Sequence, residues 1–288
     1  MKLEQLDVPA SILGEGPVWS DRDGCLYYVD IFAYRVVAYY PGARRYETFQ
    51  FDSYVSCLAE CQSGGLIVAL FDRLIHFDPR KGVSSAQTFV SLEQDRPENR
   101  LNDGKADPYG RFWVGSMRLD QGGPEGRLWC VLPDGHAKVV RDGIMCSNST
   151  AFDAARSRMY FADSNTGQIE VANFDASREL GPFRPFSKTA GGDPDGSCTD
   201  AAGYLWNAEW GGSRIRRYSP DGSVERVIET PVTRPSCCTF GGENHRTLFV
   251  TSAQYGMSDQ EKQQDPQAGA LFAIELDVEG RPADLFGM

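Results

Sequence analysis

Short segments in which apolar and polar residues alternate recur along the whole chain, separated by turns that contain glycine. The clearest are CLYYVDI (25–31), RFWVGSM (111–117), RMYFADS (158–164), YLWNAEW (204–210) and TLFVTSA (247–253). Alternation with a period of two predicts half-buried β-strands, and the glycine-containing turns predict hairpins. No segment has the spacing of an amphipathic helix longer than about ten residues. The pattern therefore predicts an all-β protein.

These strands belong to a repeat that occurs six times. Each copy has a small or apolar start, a turn related to Asp-x-x-Gly, an aromatic-rich strand and then a second strand; the copies begin near residues 17, 58, 105, 150, 197 and 239. A period of about 40–50 residues with several short strands per unit is typical of a β-propeller. Two β-sandwich domains would not produce one template along the whole chain. We predict a six-bladed β-propeller, a single domain over residues 1–288, in which the first strand of each blade lines the central channel.

Three polar residues share one position in this repeat, immediately upstream of a first strand. They are Glu15 in LGEGP, Asn148 in CSNST and Asp195 in DPDGS. Each residue alone is equally well explained by ordinary turn chemistry. Their common position, however, predicts that all three point to the same mouth of the channel. Two carboxylates and an amide oxygen suit Ca²⁺, Mg²⁺ or Mn²⁺ better than a soft metal.

The segment NRLNDGKADPYG (99–110) leads into another first strand and is rich in polar residues. Arg100 and Asn102 lie two positions apart, so in an extended chain both side chains face the same side. Arginine can bind an oxygen-rich substrate through its fork, and asparagine can bind hydroxyls. The alternatives are an ion pair for Arg100 and loop packing for Asn102. We expect Asp103–Gly104 to form a turn and 107–110 to form the β-turn of the blade.

Two longer insertions, 121–126 and 254–268, are expected to cover one face of the propeller. Trp210, Tyr255 and Glu243 are further candidates for the mouth of the channel. Aromatic residues in propeller strands also pack in the core, so the sequence leaves the role of Trp210 and Tyr255 open.

The composition narrows the class of function. Lys and Arg number 29 against 40 Asp and Glu, giving a net charge of −11 and a pI near 4.8. This excess of acid argues against a nucleic-acid partner and against binding to anionic lipid, because both need a basic surface. No apolar run approaches the roughly 18 residues of a membrane span, and the first residues are too acidic for a signal peptide. We therefore expect a cytoplasmic protein.

Neither cysteine nor histidine is arranged as a recognisable motif. The eight cysteines are scattered without a Cys-x-x-Cys pair, which favours buried thiols over a disulfide framework. The three histidines are far apart in sequence, so a histidine-rich zinc site or a Ser-His-Asp triad is poorly supplied.

Four strings together resemble the SMP-30/gluconolactonase/regucalcin-like family, in order and at family spacing over essentially the whole chain. They are LGEGPVW (13–19), RLNDGKADPYGRFWVGSM (100–117), SNS (147–149) and DPDGSCTDAAGYLW (193–206). The resemblance implies a six-bladed propeller with one divalent cation in its channel. It also implies hydrolysis of a sugar lactone to the aldonic acid, in the oxidation of pentoses or hexoses.

Residue by residue, the resemblance assigns metal ligation to Glu15, Asn148 and Asp195, and substrate contacts to Arg100 and Asn102. Asp195 is then also the expected catalytic base. We favour Ca²⁺ as the cation, with Zn²⁺, Mn²⁺, Mg²⁺ and Fe²⁺ as alternatives. The expected partner is a small sugar lactone, and the expected state is a monomer or small homo-oligomer.

The sequence departs from the family pattern at two places. A family acid after a Gly-Thr-Met-like strand corresponds to Asp120, here in GSMRLD and with a shorter side chain; we assign it a substrate contact. The family usually has Asn-Gly where this chain has Asn148-Ser149. Two other functions remain open: a calcium-binding propeller without turnover, and a phosphotriesterase or paraoxonase-like hydrolase on a similar scaffold.

Overall fold

The computed structural model describes residues 3–175 and 180–288, and within them the chain forms six four-stranded antiparallel sheets. The first strand of each sheet contacts the first strand of the next, and the first strand of the sixth sheet contacts that of the first. The sheets therefore stand in a closed ring around a channel lined by their first strands. The predicted six-bladed β-propeller is confirmed.

The strands are as follows, blade by blade. Blade 1 contains β2 (Gly14–Ser20), β3 (Cys25–Asp30), β4 (Arg35–Tyr40) and β5 (Arg45–Gln50); blade 2 contains β6 (Cys57–Glu60), β7 (Leu66–Ala69), β8 (Arg73–Phe77) and β9 (Gln87–Ser91). Blade 3 contains β10 (Asn99–Ala106), β11 (Phe112–Arg118), β12 (Gly126–Val131) and β13 (Ala137–Ile144); blade 4 contains β14 (Ser147–Asp153), β15 (Arg158–Asp163), β16 (Gln168–Asn173) and β17 (Arg184–Lys188). Blade 5 contains β18 (Asp193–Thr199), β19 (Leu205–Trp210), β20 (Arg214–Tyr218) and β21 (Val224–Glu229). Blade 6 contains β22 (Pro235–Gly241), β23 (Thr247–Ser252), β24 (Phe272–Glu275) and, from the start of the chain, β1 (Glu4–Gln5); the helix α1 (Asp259–Gln264) lies between β23 and β24.

The second strands are buried on both faces rather than half-buried as the alternation predicts. In β3, the adjacent residues Tyr27 and Tyr28 are 1% and 2% exposed and belong to different hydrophobic clusters. Successive side chains of a strand point to opposite faces. Because each blade is packed between two neighbours, both faces are covered. Among the strands that the structure describes, the outermost ones, such as β5, are the most exposed.

The recurring Asp-x-x-Gly turn has a common hydrogen-bond pattern. In blade 3, Asp107 accepts from the backbone N–H groups of Tyr109 (2.8 Å) and Arg111 (3.0 Å) and from Nε1 of Trp113 (2.7 Å). In blade 5, Asp200 accepts in the same way from two backbone N–H groups and from a tryptophan indole. One carboxylate thus closes the turn and anchors the aromatic residue of the next strand. The turn expected at 107–110 is confirmed.

Both ends of the chain connect blades that are far apart in the sequence. The strand β1 pairs with β24, so residues that precede blade 1 complete blade 6. Residues 279–288 form what we call the C-terminal strap. It pairs with Asp200 through Gly280 and with Cys61 through Phe286, and Gly287 donates to the Gly110 carbonyl (2.9 Å). These contacts lie at the turns that follow the first strands, so the strap crosses the end of the channel opposite the starts of those strands.

No disulfide bond joins the eight cysteines, and seven of them are buried, as expected. Cys146 is the partly buried one. In residues 3–175 and 180–288 there is no helix with the length and apolar character needed to cross a membrane.

Candidate active site

An irregularity of the first strands points the candidate residues into the channel. The pairing of first and second strands shifts register between Glu15 and Val18, between Asn148 and Ala151, and between Pro194 and Ser197. Each shift is a β-bulge at or directly beside a candidate ligand. A bulge bends its strand and re-aims a side chain, and bulges are common beside active sites. The repeat therefore produces the same local bend in several blades.

Five of the six predicted site residues line one pocket at this mouth of the channel. They are Glu15, Arg100, Asn102, Asn148 and Asp195. All five are buried, with exposures of 5–8%. Four different blades contribute them, so residues far apart in sequence meet at one place.

Hydrogen bonds connect the polar side chains of blades 3 and 4. Nη1 of Arg100 donates to Oδ1 of Asn102 (2.7 Å), and Nδ2 of Asn102 donates to Oδ1 of Asn148 (3.2 Å). Nδ2 of Asn148 donates in turn to Oγ of Ser164 (2.8 Å). These bonds fix the orientation of both amides. Oδ1 of Asn148 keeps a second lone pair for another ligand.

Ser149 links the bulges of blades 4 and 5. Its φ of +61° lies in the left-handed region, which explains why glycine suits this position. Its hydroxyl donates to the carbonyl of Asp195 (2.6 Å), and Nδ2 of Asn207 donates both to that carbonyl (2.8 Å) and to Oγ of Ser149 (3.0 Å). The departure from the family pattern therefore replaces glycine with a residue that binds the backbone of Asp195.

The carboxylates of the site are destabilised in their charged form. Burial, together with the charge of Asp103, raises the pKa of Glu15 from 4.5 to about 8. Burial and the charge of Glu15 also raise the pKa of Asp195 well above its usual value. Burial raises the pKa of Asp103 too, opposed by the nearby ammonium of Lys105. Positive charge placed among these groups would stabilise their ionised forms.

The donor set fits a hard divalent cation. Within the described ranges, no group of three or more His, Cys, Asp and Glu side chains is arranged to hold a metal ion. The candidate set is different in kind, because it contains the two carboxylates of Glu15 and Asp195 and the amide oxygen of Asn148. Oxygen donors of this kind suit Ca²⁺, Mg²⁺ or Mn²⁺. Burial and repulsion from neighbouring carboxylates raise the pKa values of both carboxyl groups, and such a cation would stabilise their ionised forms.

Asp103 lies close enough to Glu15 and Asp195 for its charge to raise their pKa values, and the expectation of a turn at Asp103–Gly104 is wrong. Both residues lie within β10, at a register shift between Leu101 and Gly104. The carboxylate of Asp103 accepts from the backbone N–H of Thr150 (2.9 Å). A bulge has the local composition of a turn, so the string Asn-Asp-Gly does not distinguish the two.

Asp120 is not brought to the pocket. Its side chain is 62% exposed, and its two oxygens accept from Nε (2.8 Å) and Nη2 (2.7 Å) of Arg118. The next residue, Gln121, lines the pocket instead. Arg118 also binds Glu98 and Glu125, so this arginine holds Asp120 in a cluster of ion pairs at the rim.

Other residues complete the walls of the pocket. Trp210 and Tyr255 line it, whereas Glu243 is exposed in the turn between β22 and β23, at the other end of the channel, so the expectation for Glu243 is wrong. Met117 and Cys146, whose sulfur atoms are 3.7 Å apart, also line the pocket, and no pattern in the sequence predicts this. Gln121 and Tyr255 come from the two insertions, which do border this mouth.

Comparison with known proteins agrees with the geometry. The family model described as "SMP-30/Gluconolactonase/LRE-like region" matches residues 13–254. The chain is 34% identical to a 6-deoxy-6-sulfogluconolactonase of Pseudomonas putida (96% of this chain, 95% of the relative) and 34% identical to an L-arabinolactonase of Azospirillum brasilense (91% and 88%). It is also similar to a solved structure, the calcium-binding protein regucalcin from Agrobacterium tumefaciens, with a TM-score of 0.93, 29% identity and coverage of 99% and 97%. The chain therefore belongs to the SMP-30/gluconolactonase/LRE-like family.

Proposed function

We propose that this protein hydrolyses a sugar lactone, a pentose- or hexose-derived aldonolactone, to the aldonic acid with the help of a divalent cation. The observation that carries the proposal is the convergence of Glu15, Asn148 and Asp195 with Arg100 and Asn102 in one pocket. Relatives with similar sequences over nearly their whole length are named as lactonases acting on sugar-derived substrates. We favour Ca²⁺ as the cation, since a similar structure is described as calcium-binding.

In this proposal, Glu15, Asn148 and Asp195 hold the cation. When bound, the cation supplies Lewis-acid polarisation of the lactone carbonyl. The backbone N–H of Gly196 donates to the carboxylate of Asp195. Within the described residues no side chain donates to it, so lone pairs of its oxygens remain available for a cation. Arg100 and Asn102 bind substrate hydroxyls and orient the ring, and the guanidinium stabilises negative charge that develops on the carbonyl oxygen.

Asp195 moves the proton. Its carboxylate takes a proton from the water that attacks the carbonyl carbon. It then returns the proton to the ring oxygen when the bond between carbonyl carbon and ring oxygen breaks, giving the open hydroxy acid. Ionisation of Asp195 requires compensation of the neighbouring charge of Glu15, because burial and that charge raise its pKa. Cation binding and base activity are therefore linked in the same residue.

The test is an acid-release assay in weak buffer with a pH indicator, over a panel of aldonolactones. Protein stripped with a chelator is assayed alone and with Ca²⁺, Zn²⁺, Mn²⁺, Mg²⁺ or Fe²⁺ added back. We expect one lactone to be hydrolysed and the activity to return with a cation. Silence across the panel despite bound cation would refute the proposal and favour a calcium-binding role.

A matched pair of variants tests the role of Asp195. Asp195→Asn keeps the shape of the side chain and removes the base, so we expect kcat to fall by about 10²–10⁴-fold. Asp221→Asn changes the same Pro-Asp-Gly string in an exposed turn and leaves the pocket intact. Unchanged kcat in Asp195→Asn would remove Asp195 from the mechanism.

A further inference from the structure

Aromatic rings form one side of the pocket. Trp210, at the end of β19, and Tyr255, in the insertion 254–268, both line it. The ring of Tyr255 stacks on Phe32, with centroids 4.3 Å apart and an interplanar angle of 10°. Phe32 packs edge-on against Tyr54 at 5.4 Å. We call Trp210, Tyr255 and Phe32 the aromatic wall.

A single arginine connects the parts of this wall that come from different segments. Arg234 directly precedes β22, and its Nη1 donates to the backbone carbonyl of Tyr255. Its guanidinium carbon lies 5.6 Å from the ring centroid of Trp210. Its Nη2 lies 3.6 Å from Oε1 of Glu261 in α1. Arg234 therefore contacts the ring of Trp210, the backbone of Tyr255 and the helix of the insertion.

The insertion is fixed to the propeller at its start, where the N–H of Tyr255 donates to the carbonyl of Ile12 (2.8 Å), and at both ends of α1. One oxygen of Glu261 accepts from both N–H and Oγ of Ser258 (2.7 Å each) and so caps α1, while the other faces Arg234. The neighbouring Thr233 donates through N–H (2.6 Å) and Oγ1 (2.8 Å) to Asp265 at the end of α1. Residues 233 and 234 thus hold both ends of the helix, and Arg234 also reaches the ring of Trp210 and the backbone of Tyr255.

We propose that Arg234 is a positioning residue that sets substrate selectivity, by holding the aromatic wall against the C–H face of a sugar ring. This inference rests on the proposed function for the identity of the ring. A sugar ring has apolar C–H faces and polar edges, and a flat aromatic surface fits such a face while Arg100 and Asn102 bind hydroxyls at the edge. A wall held in place before binding costs less entropy on binding than one that must be ordered.

The role assigned to Arg234 depends on its planar fork. A guanidinium can donate to the carbonyl of Tyr255, lie near the ring of Trp210 and pair with Glu261 at the same time. A lysine at this position keeps the charge toward Glu261 but cannot reach all three groups. Because none of these groups reacts with the lactone, loss of Arg234 is expected to change substrate binding and not the chemical step.

The first arm of the test is kinetic and compares Arg234→Gln, Arg234→Lys and wild type. Arg226→Gln is the matched control, since Arg226 pairs with the exposed Asp277 on the outside of the propeller. For the preferred lactone we expect KM to rise by about tenfold in Arg234→Gln, with kcat changed less than twofold. Arg234→Lys should be intermediate. Discrimination against an epimer whose hydroxyl projects from the ring face should fall in parallel, and Arg226→Gln should match wild type.

A second kinetic variant tests whether Arg234 acts through the wall. Tyr255→Leu removes the stacked ring, so adding Arg234→Gln to it should raise KM by clearly less than in the wild-type background. Full additivity of the two changes would contradict the inference. Thermal unfolding of each variant, followed by circular dichroism, shows that the fold is retained.

The second arm measures binding without turnover and separates this inference from the proposed function. The probe is a 1,5-anhydroalditol, a sugar ring without the lactone carbonyl, titrated calorimetrically into cation-loaded protein. We expect about tenfold weaker binding in Arg234→Gln and no change in Arg226→Gln. If the wild-type protein hydrolyses no lactone but Arg234→Gln still binds the probe more weakly, the proposed function is refuted and the role of the aromatic wall is supported. Unchanged KM and probe affinity in Arg234→Gln, a fall in kcat alone, or no probe binding by wild type would each overturn the inference.

Discussion

Ser149 allows two opposing contributions to stability to be separated by substitution. Its backbone lies in the left-handed region at φ +61°, and its hydroxyl donates to the Asp195 carbonyl at 2.6 Å. Ser149→Gly removes both the strain and the hydrogen bond and restores the sequence usual in the family. Ser149→Ala removes only the hydrogen bond and retains the strain.

The magnitudes follow from these two terms. A left-handed conformation costs a residue with a Cβ atom roughly 1–2 kcal/mol, and glycine avoids this cost. Glycine also makes the unfolded chain more flexible, which lowers the free energy of unfolding by about 0.4–1 kcal/mol and offsets part of the gain. The hydrogen bond contributes about 0.5–1.5 kcal/mol. Asn207 keeps acceptors in the Asp195 carbonyl (2.8 Å) and in Oγ of Ser197 (2.9 Å), so no buried donor is orphaned. We expect Ser149→Ala to lower the free energy of unfolding by about 1 kcal/mol and Ser149→Gly to be nearly neutral.

The assay is urea unfolding at equilibrium, with the cation present at a saturating concentration. The control pair is Ser157→Gly and Ser157→Ala. Ser157 is exposed, has φ +54° and follows a 3₁₀ turn far from the pocket. The difference in free energy of unfolding between the glycine and alanine variants should be similar at positions 149 and 157. Both variants lack the hydroxyl at either position, so the difference reports the strain of the left-handed backbone. Equal stability of Ser149→Gly and Ser149→Ala would refute the strain, and wild-type stability of Ser149→Ala would refute the contribution of the hydrogen bond.

The remaining predictions concern the cation and the rim of the pocket. Chelation should lower Tm at pH 8, and a cation at 100 times its Kd should restore about 2.7 kcal/mol, or roughly 4–5 °C, as followed by calorimetry. Because the pKa of Glu15 is raised to about 8, the cation-free folded protein keeps a proton on Glu15 that the unfolded chain releases near pH 4.5. The free energy of unfolding without cation therefore falls as the pH rises from 4.5 to about 8. The cation should therefore stabilise less at pH 5 than at pH 8, and equal shifts would contradict burial of the ligands. Asp120→Asn should leave KM within about twofold of wild type, because Asp120 binds Arg118 at the exposed rim and exposed ion pairs contribute little; a large rise in KM would show contact with substrate.

The parts of the fold that could be predicted are those that repeat. Six copies of one template determine the number of blades, and the shared repeat position of Glu15, Asn148 and Asp195 places them at one mouth. This inference needs no distances, because equivalent positions in a ring of similar units lie at the same end. The expectation that they lie upstream of the first strands is wrong, because the structure places them within β2, β14 and β18, near the start of each strand. The burial of second strands on both faces escaped the prediction, since alternation reports two distinct faces but not what covers each of them.

The parts that failed are those where the chain departs from its own period. A bulge at Asp103 has the composition of a turn, so the string predicts a turn at Asp103–Gly104 although both residues lie in β10. Asp120 follows Arg118 by two positions, and in extended chain such residues face the same side. That spacing was an available signal for the ion pair seen in the structure. Tyr255 belongs to an insertion that is much longer than the one at 121–126 in blade 3, so the repeat does not predict where its ring lies.

The C-terminal strap changes how the protein is expected to unfold. In linear repeat proteins each unit touches only its neighbours, and stability is close to a sum of local contributions that can be lost one unit at a time. Here Phe286 pairs with Cys61 of blade 2, and Gly280 pairs with Asp200 of blade 5. Loosening one of these blades therefore releases an anchor of the other, across the axis of the ring. The closed ring and the strap together make cooperative, all-or-none loss of structure the expected behaviour, with amide protons of all six first strands exchanging at a common rate.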